Sequence, residues 1–500
     1  MTELSNLPLI SLLLLSMPLA ALWIWLVPDP RKARWIALGT AVMDLALSLL
    51  LLAGFDSASA DYQFVEQAKW IPSLNVQYLV GVDGISMLFL PFTILLFMGV
   101  ILASWNSIHN MPRLYFSLLL LLESLTLGIF VSMDVVLFFL FWELSLAPLY
   151  FLISLWGVGP NRRYAAVKYT LLMLAAGVPL LFGFLLLGFA HADSINMAVP
   201  QGLAFDYPTL LTLHLPHGLE MTVFFLLLTG FLVKTPAFPF HTWLPVVTME
   251  GPAAVAALMT GLKLGVYGII RFVVPLAPNL SQEFHWLLAG LGVVGILYGA
   301  VLAIAQTNLR QMLAYSSISH VGLVLLAIAS LNQAGIQGAL FQLLNFTLVA
   351  GGLFLLTGFL YQRTASTDVI SLGGAARSMP LLASFYLLFG FSAMGVPGTN
   401  GFPAEFLMLI SALDTHTGAG LAALVGMVIG AGYFLSIYRR TFFGPANNQV
   451  ILKVLDLRPR ELLIIGMFSV FVIFNGFYPQ GILDFTQAAT EHWLSLLQTN

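Results

Sequence analysis

About fourteen stretches of some 20 predominantly apolar residues divide the chain, at 7–27, 35–55, 84–105, 113–131, 134–156, 166–190, 219–245, 252–275, 284–305, 311–331, 335–360, 381–412, 419–441 and 460–479. Each is long enough to cross a hydrocarbon core roughly 30 Å thick as an α-helix. A soluble domain carries about 25% charged residues, whereas this chain has 8%, with 59% hydrophobic residues and a mean hydropathy of +0.95. The expectation is an all-α polytopic membrane protein with about 14 transmembrane helices. The first apolar run could be mistaken for a leader ending in PLAA, but the residues before it carry Glu3 and no lysine or arginine, the wrong n-region. It is read as the first helix.

Basic residues give the orientation, because cytoplasmic loops are enriched in lysine and arginine. Of 19 such residues, Arg31, Lys32, Arg34, Arg113, Arg162, Arg163, Lys168, Arg310, Arg363, Arg377, Arg439, Arg440, Lys453, Arg458 and Arg460 fall in loops on one side, and only Lys69 and Arg271 toward the other. Both termini are therefore expected on the non-cytoplasmic side, in a bacterial inner membrane before a mitochondrial or thylakoid one. Zero cysteines exclude disulfides, thiolate-ligated clusters and cysteine nucleophiles. The nine histidines show no paired metal-ligand spacing, and nothing suggests nucleic-acid binding.

The remaining two lysines, Lys234 and Lys263, lie inside apolar segments of GFLVKTPAFPFHTWLPVVTMEGPAAVAALMTGLKLGVYGIIR. Proline lacks the N–H that a helix interior requires, so Pro236 and Pro239 should break the helix beside Lys234. Irregular backbone at membrane depth persists only where protein or a watery cavity surrounds it, and a mid-membrane lysine costs roughly 2.5–3.5 kcal/mol. Together they read as an ion path. Gly261, Gly265 and Gly268 around Lys263 permit close helix approach or room for water.

Four further groups share this character. Glu123 and Glu143 lie near the centres of their spans, too deep to reach the headgroups, so each must be neutral or paired; Lys234 is the natural partner of Glu143, either as a working pair or as a structural salt bridge. His320, in AYSSISHVGLVLL, shares a helix face with Ser316, and hydroxyls beside an imidazole suit proton relay. The segment GFSAMGVPGTNGFPAEFLML carries Pro397 and Pro403 with Glu405 just beyond, a second broken helix beside a charge. Two interrupted segments in corresponding halves point to an inverted repeat with a site at each break. The division is 1–112 (helices 1–3), 113–275 (first five-helix unit), 284–441 (second, inverted unit) and 442–500 (last helix and a short tail). Asp44, in the second span, is either functional or paired with a hydroxyl in a tight helix pair.

At FWELSLAPLYFLISLWG, FLVKTPAFPFHTWLP, LKLGVYGIIRF and AYSSISHVGLVLLAI the chain resembles the antiporter-like membrane subunits of respiratory complex I, above all the M-type. The resemblance covers nearly the whole chain. It implies a proton-translocating subunit of NADH–quinone oxidoreductase, in which two inverted five-helix units each carry a half-channel. A mid-membrane row of Glu143, Lys234, Lys263, His320 and Glu405 joins them, with Glu123 as an accessory acid. It also implies no cofactor or redox centre on this chain; flavin, iron–sulfur clusters and quinone belong to partner subunits, among them L-type and N-type sisters. Glu405, where those sisters carry lysine, and the lack of a long lateral helix favour the M-type. Two positions depart from the family: Phe346 stands where histidine is common, which would route the relay through water, Asn345 or Thr347, and Val246-Val247-Thr248 replace aspartate–alanine–histidine. Subunits of multi-subunit cation/proton antiporters or membrane-bound hydrogenases share these motifs. A purely structural scaffold is hard to reconcile with five ionisable groups in mid-span.

Overall fold

The computed structural model describes residues 7–446 and 449–498. Glu3 and both chain ends, on which the leader and terminus readings rest, lie outside them.

Among the described residues, twelve helices are long and apolar enough to cross a membrane, or thirteen if Val369–Arg377 and Pro380–Ala393, bent by 110°, form one span. They are α1 (Leu9–Leu26), α2 (Ala33–Gly54), α4 (Pro112–Val131), α5 (Val135–Leu144) continued by α6 (Leu146–Trp156), α7 (Arg162–Ser194), α8 (His217–Lys234), α10 (Ala253–Gly261) continued to Leu276, α12 (His285–Ile304), α13 (Leu309–Ala329), α14 (Gln333–Thr364), α17 (Thr417–Phe442) and α18 (Pro459–Phe477). The two other expected spans fall short for local reasons. The third begins late, because residues 84–88 form turns tied by Ser86 N donating to Asp83 Oδ1 (2.9 Å), leaving α3 (Phe89–Ala103) only 15 residues. The twelfth is split into α15 (Pro380–Ala393) and α16 (Gly401–Thr415). The chain is an integral membrane protein.

Burial grades these helices by position. In α14, 94% of the apolar window is buried, against 33% in α2 and α17; α14 is the axis of the bundle, and the outer helices turn residues such as Leu22, Trp23 and Leu26 outward. Apolar side chains on that outer surface have lipid, not water, as their solvent.

One part of the fold is not helical. The segment between α2 and α3 forms an antiparallel hairpin of β1 (Gln63–Ile71) and β2 (Val76–Val82), with Lys69 opposite Gln77. Its connection turns at Pro72–Leu74 and reverses at Asn75, whose φ of 54° is one that asparagine tolerates. The hairpin docks on the start of α5: Met133 N donates to Leu79 O (2.9 Å), and the Asp134 carboxylate accepts from Val136 N, Leu137 N and Gln77 N at 2.9–3.0 Å. The tail is also ordered, as the amphipathic helix α19 (Gln480–Ser495), whose Trp493 Nε1 donates to Ile270 O (2.8 Å).

Candidate proton path

The first break falls where the prolines put it. α8 ends on Lys234, and α9 (Trp243–Glu250) begins only after the segment holding Pro236 and Pro239. Carbonyls that lose their helical donors are not left bare: Leu232 O accepts from Ala237 N (3.3 Å) and Val233 O from Trp243 Nε1 (2.9 Å). At the second break, the segment 394–400 carries Pro397, with Gly395 and Gly398 at φ of 65° and 90°, which glycine adopts freely. Pro403 does not interrupt the backbone. It lies in the first turn of α16, where a missing N–H leaves no helical bond unmade.

A third break was not expected. α10 ends at Gly261 and α11 (Leu264–Gly268) starts after Lys263, so the second lysine sits in an unwound turn with Leu262 extended at φ −99°, ψ 106°. Glycine permits this: a Cβ on Gly265 would collide with Thr235 Oγ1 and lie 2.6 Å from Phe231 O, so α11 seats directly on the end of α8. The Lys263 and Lys234 breaks are thereby packed against each other.

The expected ion pair between Glu143 and Lys234 is not formed. The two do not come within 4 Å as an ion pair; instead Lys234 Nζ donates to Ser145 Oγ (3.3 Å) and stands 3.8 Å from the ring centroid of Trp142. Glu143 turns its Oε1 toward Gly177 on α7, filling the space a Cβ would need, and that oxygen has no hydrogen-bond partner. Helical geometry explains the separation, since adjacent positions such as Trp142 and Glu143 do not face the same way. Lys234 is 9% exposed and lines a cavity of about 40 Å³ with Thr126, Ser145, Tyr169 and Trp243. One water needs about 10–15 Å³ of such space. Toward Lys263 the same cavity is walled by the apolar Met259, Leu262 and Leu264.

Lys263, 5% exposed, donates from Nζ to Ser317 Oγ (2.7 Å), and its ammonium stands 5.3 Å from the centroid of Phe346. The aromatic ring at that position therefore faces a cation. Ser317, Ser316, His320, Asn345, Phe346 and Ser392 share a second cavity of about 40 Å³. His320 Nδ1 lies 2.7 Å from Ser316 O and its Nε2 2.8 Å from Ala393 O, with Glu405 Oε1 at 3.5 Å. Both ring nitrogens face acceptor oxygens, an arrangement that suits a protonated ring opposite the carboxylate. His320 also borders a third cavity, of about 20 Å³, lined by Glu405 and Tyr433, whose hydroxyl donates to Ser316 Oγ (2.6 Å).

Water, Asn345 and Thr347 are the expected alternatives to the missing histidine. Thr347 Oγ1 donates back to Leu344 O (2.6 Å). Asn345 reaches the second break: its Nδ2 donates to Asn400 O (2.7 Å), Asn400 Nδ2 donates to Asn345 Oδ1 (2.6 Å), and Ser392 Oγ donates to Asn400 Oδ1 (2.6 Å). That network ties α14 to the second break. Ser145, Trp142 and Tyr433 carry no signal in the sequence, as neutral residues in apolar runs, and Asn400 is one polar residue among the glycines and prolines of the second break. Glu123 lies away from the row, fully buried on α4 with neither oxygen hydrogen-bonded.

A family model described as NADH:quinone oxidoreductase/Mrp antiporter, transmembrane, matches residues 132–430. The chain is 38% identical to NAD(P)H-quinone oxidoreductase chain 4 of Nostoc sp. over 95% of its own length and 89% of that protein's. It is 34% identical to NADH-quinone oxidoreductase subunit M of Rickettsia conorii over 98% and 99%. Its fold superposes on a chain of respiratory complex I from Thermus thermophilus with a TM-score of 0.88 at 29% identity, covering 98% and 99% of the two chains. A chain of the Mrp complex from Dietzia sp. shares the fold at a TM-score of 0.84 and 21% identity, covering 98% and 100%. The broken helices, the interior lysines and the matched family model agree: this chain belongs to the NADH:quinone oxidoreductase/Mrp antiporter transmembrane family.

Proposed function

We propose that the chain is the M-type, proton-translocating membrane subunit of an NADH–quinone oxidoreductase. Protons move along Glu143, Lys234, Lys263, His320 and Glu405, with Glu123 as accessory acid. Two inverted five-helix units, 113–275 and 284–441, flanked by 1–112 and 442–500, would each supply a half-channel. The observation that carries this reading is the alignment of interior charges with helix breaks: Lys234 ends α8, Lys263 occupies an unwound turn, and His320 meets both sides of the second break, at Ala393 O (2.8 Å) and Glu405 Oε1 (3.5 Å).

The chemistry is charge-driven proton exchange. At an effective dielectric near 20, a unit charge 4 Å away is worth about 4 kcal/mol, close to three powers of ten in a proton equilibrium. A Glu143 carboxylate that swings to Lys234 stabilises its ammonium, and one that swings away promotes release toward Lys263. The arrangement seen, Glu143 against Gly177 and Lys234 on Ser145, is the separated one. Ser317 then connects Lys263 to the cavity of His320, and Glu405 receives the proton last.

The driving energy comes from quinone reduction on partner subunits, which hold the flavin and iron–sulfur clusters; L-type and N-type sisters adjoin this chain in a bacterial inner membrane, with both termini on the non-cytoplasmic side. Lys234→Ala in the assembled complex is expected to abolish proton pumping and coupled quinone reduction while assembly persists. Normal pumping would refute the reading. Co-purification with only small membrane subunits, lacking flavin and iron–sulfur partners, would instead indicate a cation/proton antiporter.

A further inference from the structure

A cavity of about 360 Å³ lies at the end of the bundle where α13 begins, against about 40 Å³ for the cavity of Lys234. Helices α3, α4, α6, α10 and α14 wall it, and Arg310 on α13 completes the wall. Arg310 is only 2% exposed. Its Nη1 donates to Gly251 O (3.1 Å) and Met249 O (3.4 Å), and its Cζ stands 4.8 Å from the ring centroid of Tyr361. Nε and Nη2, which together form one edge of the planar guanidinium, have no hydrogen-bond partner. No carboxylate pairs with Arg310 among the described residues, and none lines the cavity. Arg271, also buried at 6% exposed, has the Asp83 carboxylate at 2.7 Å.

A lysine in such a place can shed its proton, but an arginine cannot. The charge on Arg310 is therefore permanent, and an uncompensated charge in the interior is strongly unfavourable. Two carbonyls and an aromatic face reduce that cost without cancelling the charge. An anion cancels it, and the edge formed by Nε and Nη2 matches two oxygens of a phosphate group. The cavity supplies room and mixed surroundings: Ser104, Tyr115 and Gln362 offer polar groups, and Leu355 and Phe359 offer apolar surface. That lining suits a phosphate that carries an acyl tail as well as one that does not. The site also has a mechanical consequence, because α10 runs from this cavity to the unwound turn of Lys263, and α13 runs from Arg310 to Ser317 and His320.

We infer that the cavity binds a phosphate-bearing anion against Arg310, either the headgroup of an anionic phospholipid or free phosphate, and that this anion holds the starts of α10 and α13 together.

The test is native mass spectrometry of the intact complex released from phosphatidylcholine nanodiscs free of inorganic phosphate, with phosphatidylglycerol added in one arm and inorganic phosphate in the other. The wild-type complex is expected to retain one more phosphatidylglycerol, or one more phosphate, than Arg310→Gln does. Retention in the first arm assigns the anion to lipid, and in the second to the free ion. Ser107→Trp, at the exposed rim of the cavity, leaves the guanidinium in place and should lose the same molecule; it decides the outcome if Arg310→Gln fails to assemble. Arg310→Lys, which keeps the charge without the fork, should retain the molecule more weakly than wild type. Equal counts in wild type and variants in both arms overturn the proposal, as does a partner subunit's carboxylate found against Arg310 in the assembled complex.

Discussion

His320 Nε2 stands 3.5 Å from Glu405 Oε1 and 2.8 Å from Ala393 O, so one ring nitrogen faces a carboxylate and the last helical carbonyl before the second break. Halving a buried pair is costlier than deleting it, because the survivor is left as an uncompensated charge; the single loss costs about 3–5 kcal/mol. Glu405→Ala is therefore expected to lower the thermal stability of the assembled complex more than the His320→Ala/Glu405→Ala double variant does. Equal losses would show that the two side chains are not a charged pair.

Lys234 depends on a hydroxyl where a carboxylate was expected. A hydrogen bond to a charged group contributes about 1.5–3 kcal/mol, and at 3.3 Å the Ser145 contact belongs at the lower end. Ser145→Ala should slow proton uptake by vesicles carrying the complex about tenfold with assembly intact, about 1.4 kcal/mol of barrier. Ser154→Ala, whose hydroxyl returns to Phe151 O (3.4 Å), should leave the rate unchanged.

These outcomes mark how far residue order carries. The apolar stretches locate the helices because hydrocarbon imposes length and satisfied backbone on every span. Proline announced the breaks at Pro236 and Pro397 through the donor it lacks. Pro148, which withholds an N–H from the Leu144 carbonyl, carries the same signal for the loosened turn at Ser145. The unwound turn at Lys263 had no proline to reveal it; it comes from the seating of Gly265 on Thr235, a contact between distant segments. The Glu143–Lys234 pairing failed for a related reason: sequence spacing says which charges share a depth, not which way two side chains lean. The hairpin was hidden by its few apolar alternations, though Pro72 and Asn75 marked its turn.

Two serines three positions from His320 or closer should behave differently. Ser317 Oγ accepts from Lys263 Nζ at 2.7 Å, whereas Ser319 Oγ donates to Ile296 O at 2.9 Å on the neighbouring helix. Ser317→Ala is expected to cut proton pumping by about tenfold or more, by the same hydrogen-bond magnitude. Ser319→Ala should reduce stability by about 1 kcal/mol and spare pumping. Similar pumping in the two variants would place Lys263 outside the path.

The seat of α11 on α8 is the most demanding contact near the row. A methyl group on Gly265 would meet Thr235 Oγ1 and stand 2.6 Å from Phe231 O, and the backbone partner cannot swing aside as a flexible side chain would. Overpacking of this kind costs about 1–3 kcal/mol, and here the strain falls between the breaks that hold Lys234 and Lys263. Gly265→Ala is expected to lower both the melting temperature of the complex and its pumping, because separating the helices moves each lysine from its serine. Gly39→Ala, on α2 with nothing within 4 Å of the added carbon, should do neither. If Gly265→Ala lowers stability but pumps at the normal rate per assembled complex, the spacing of the two breaks does not govern proton transfer between the lysines.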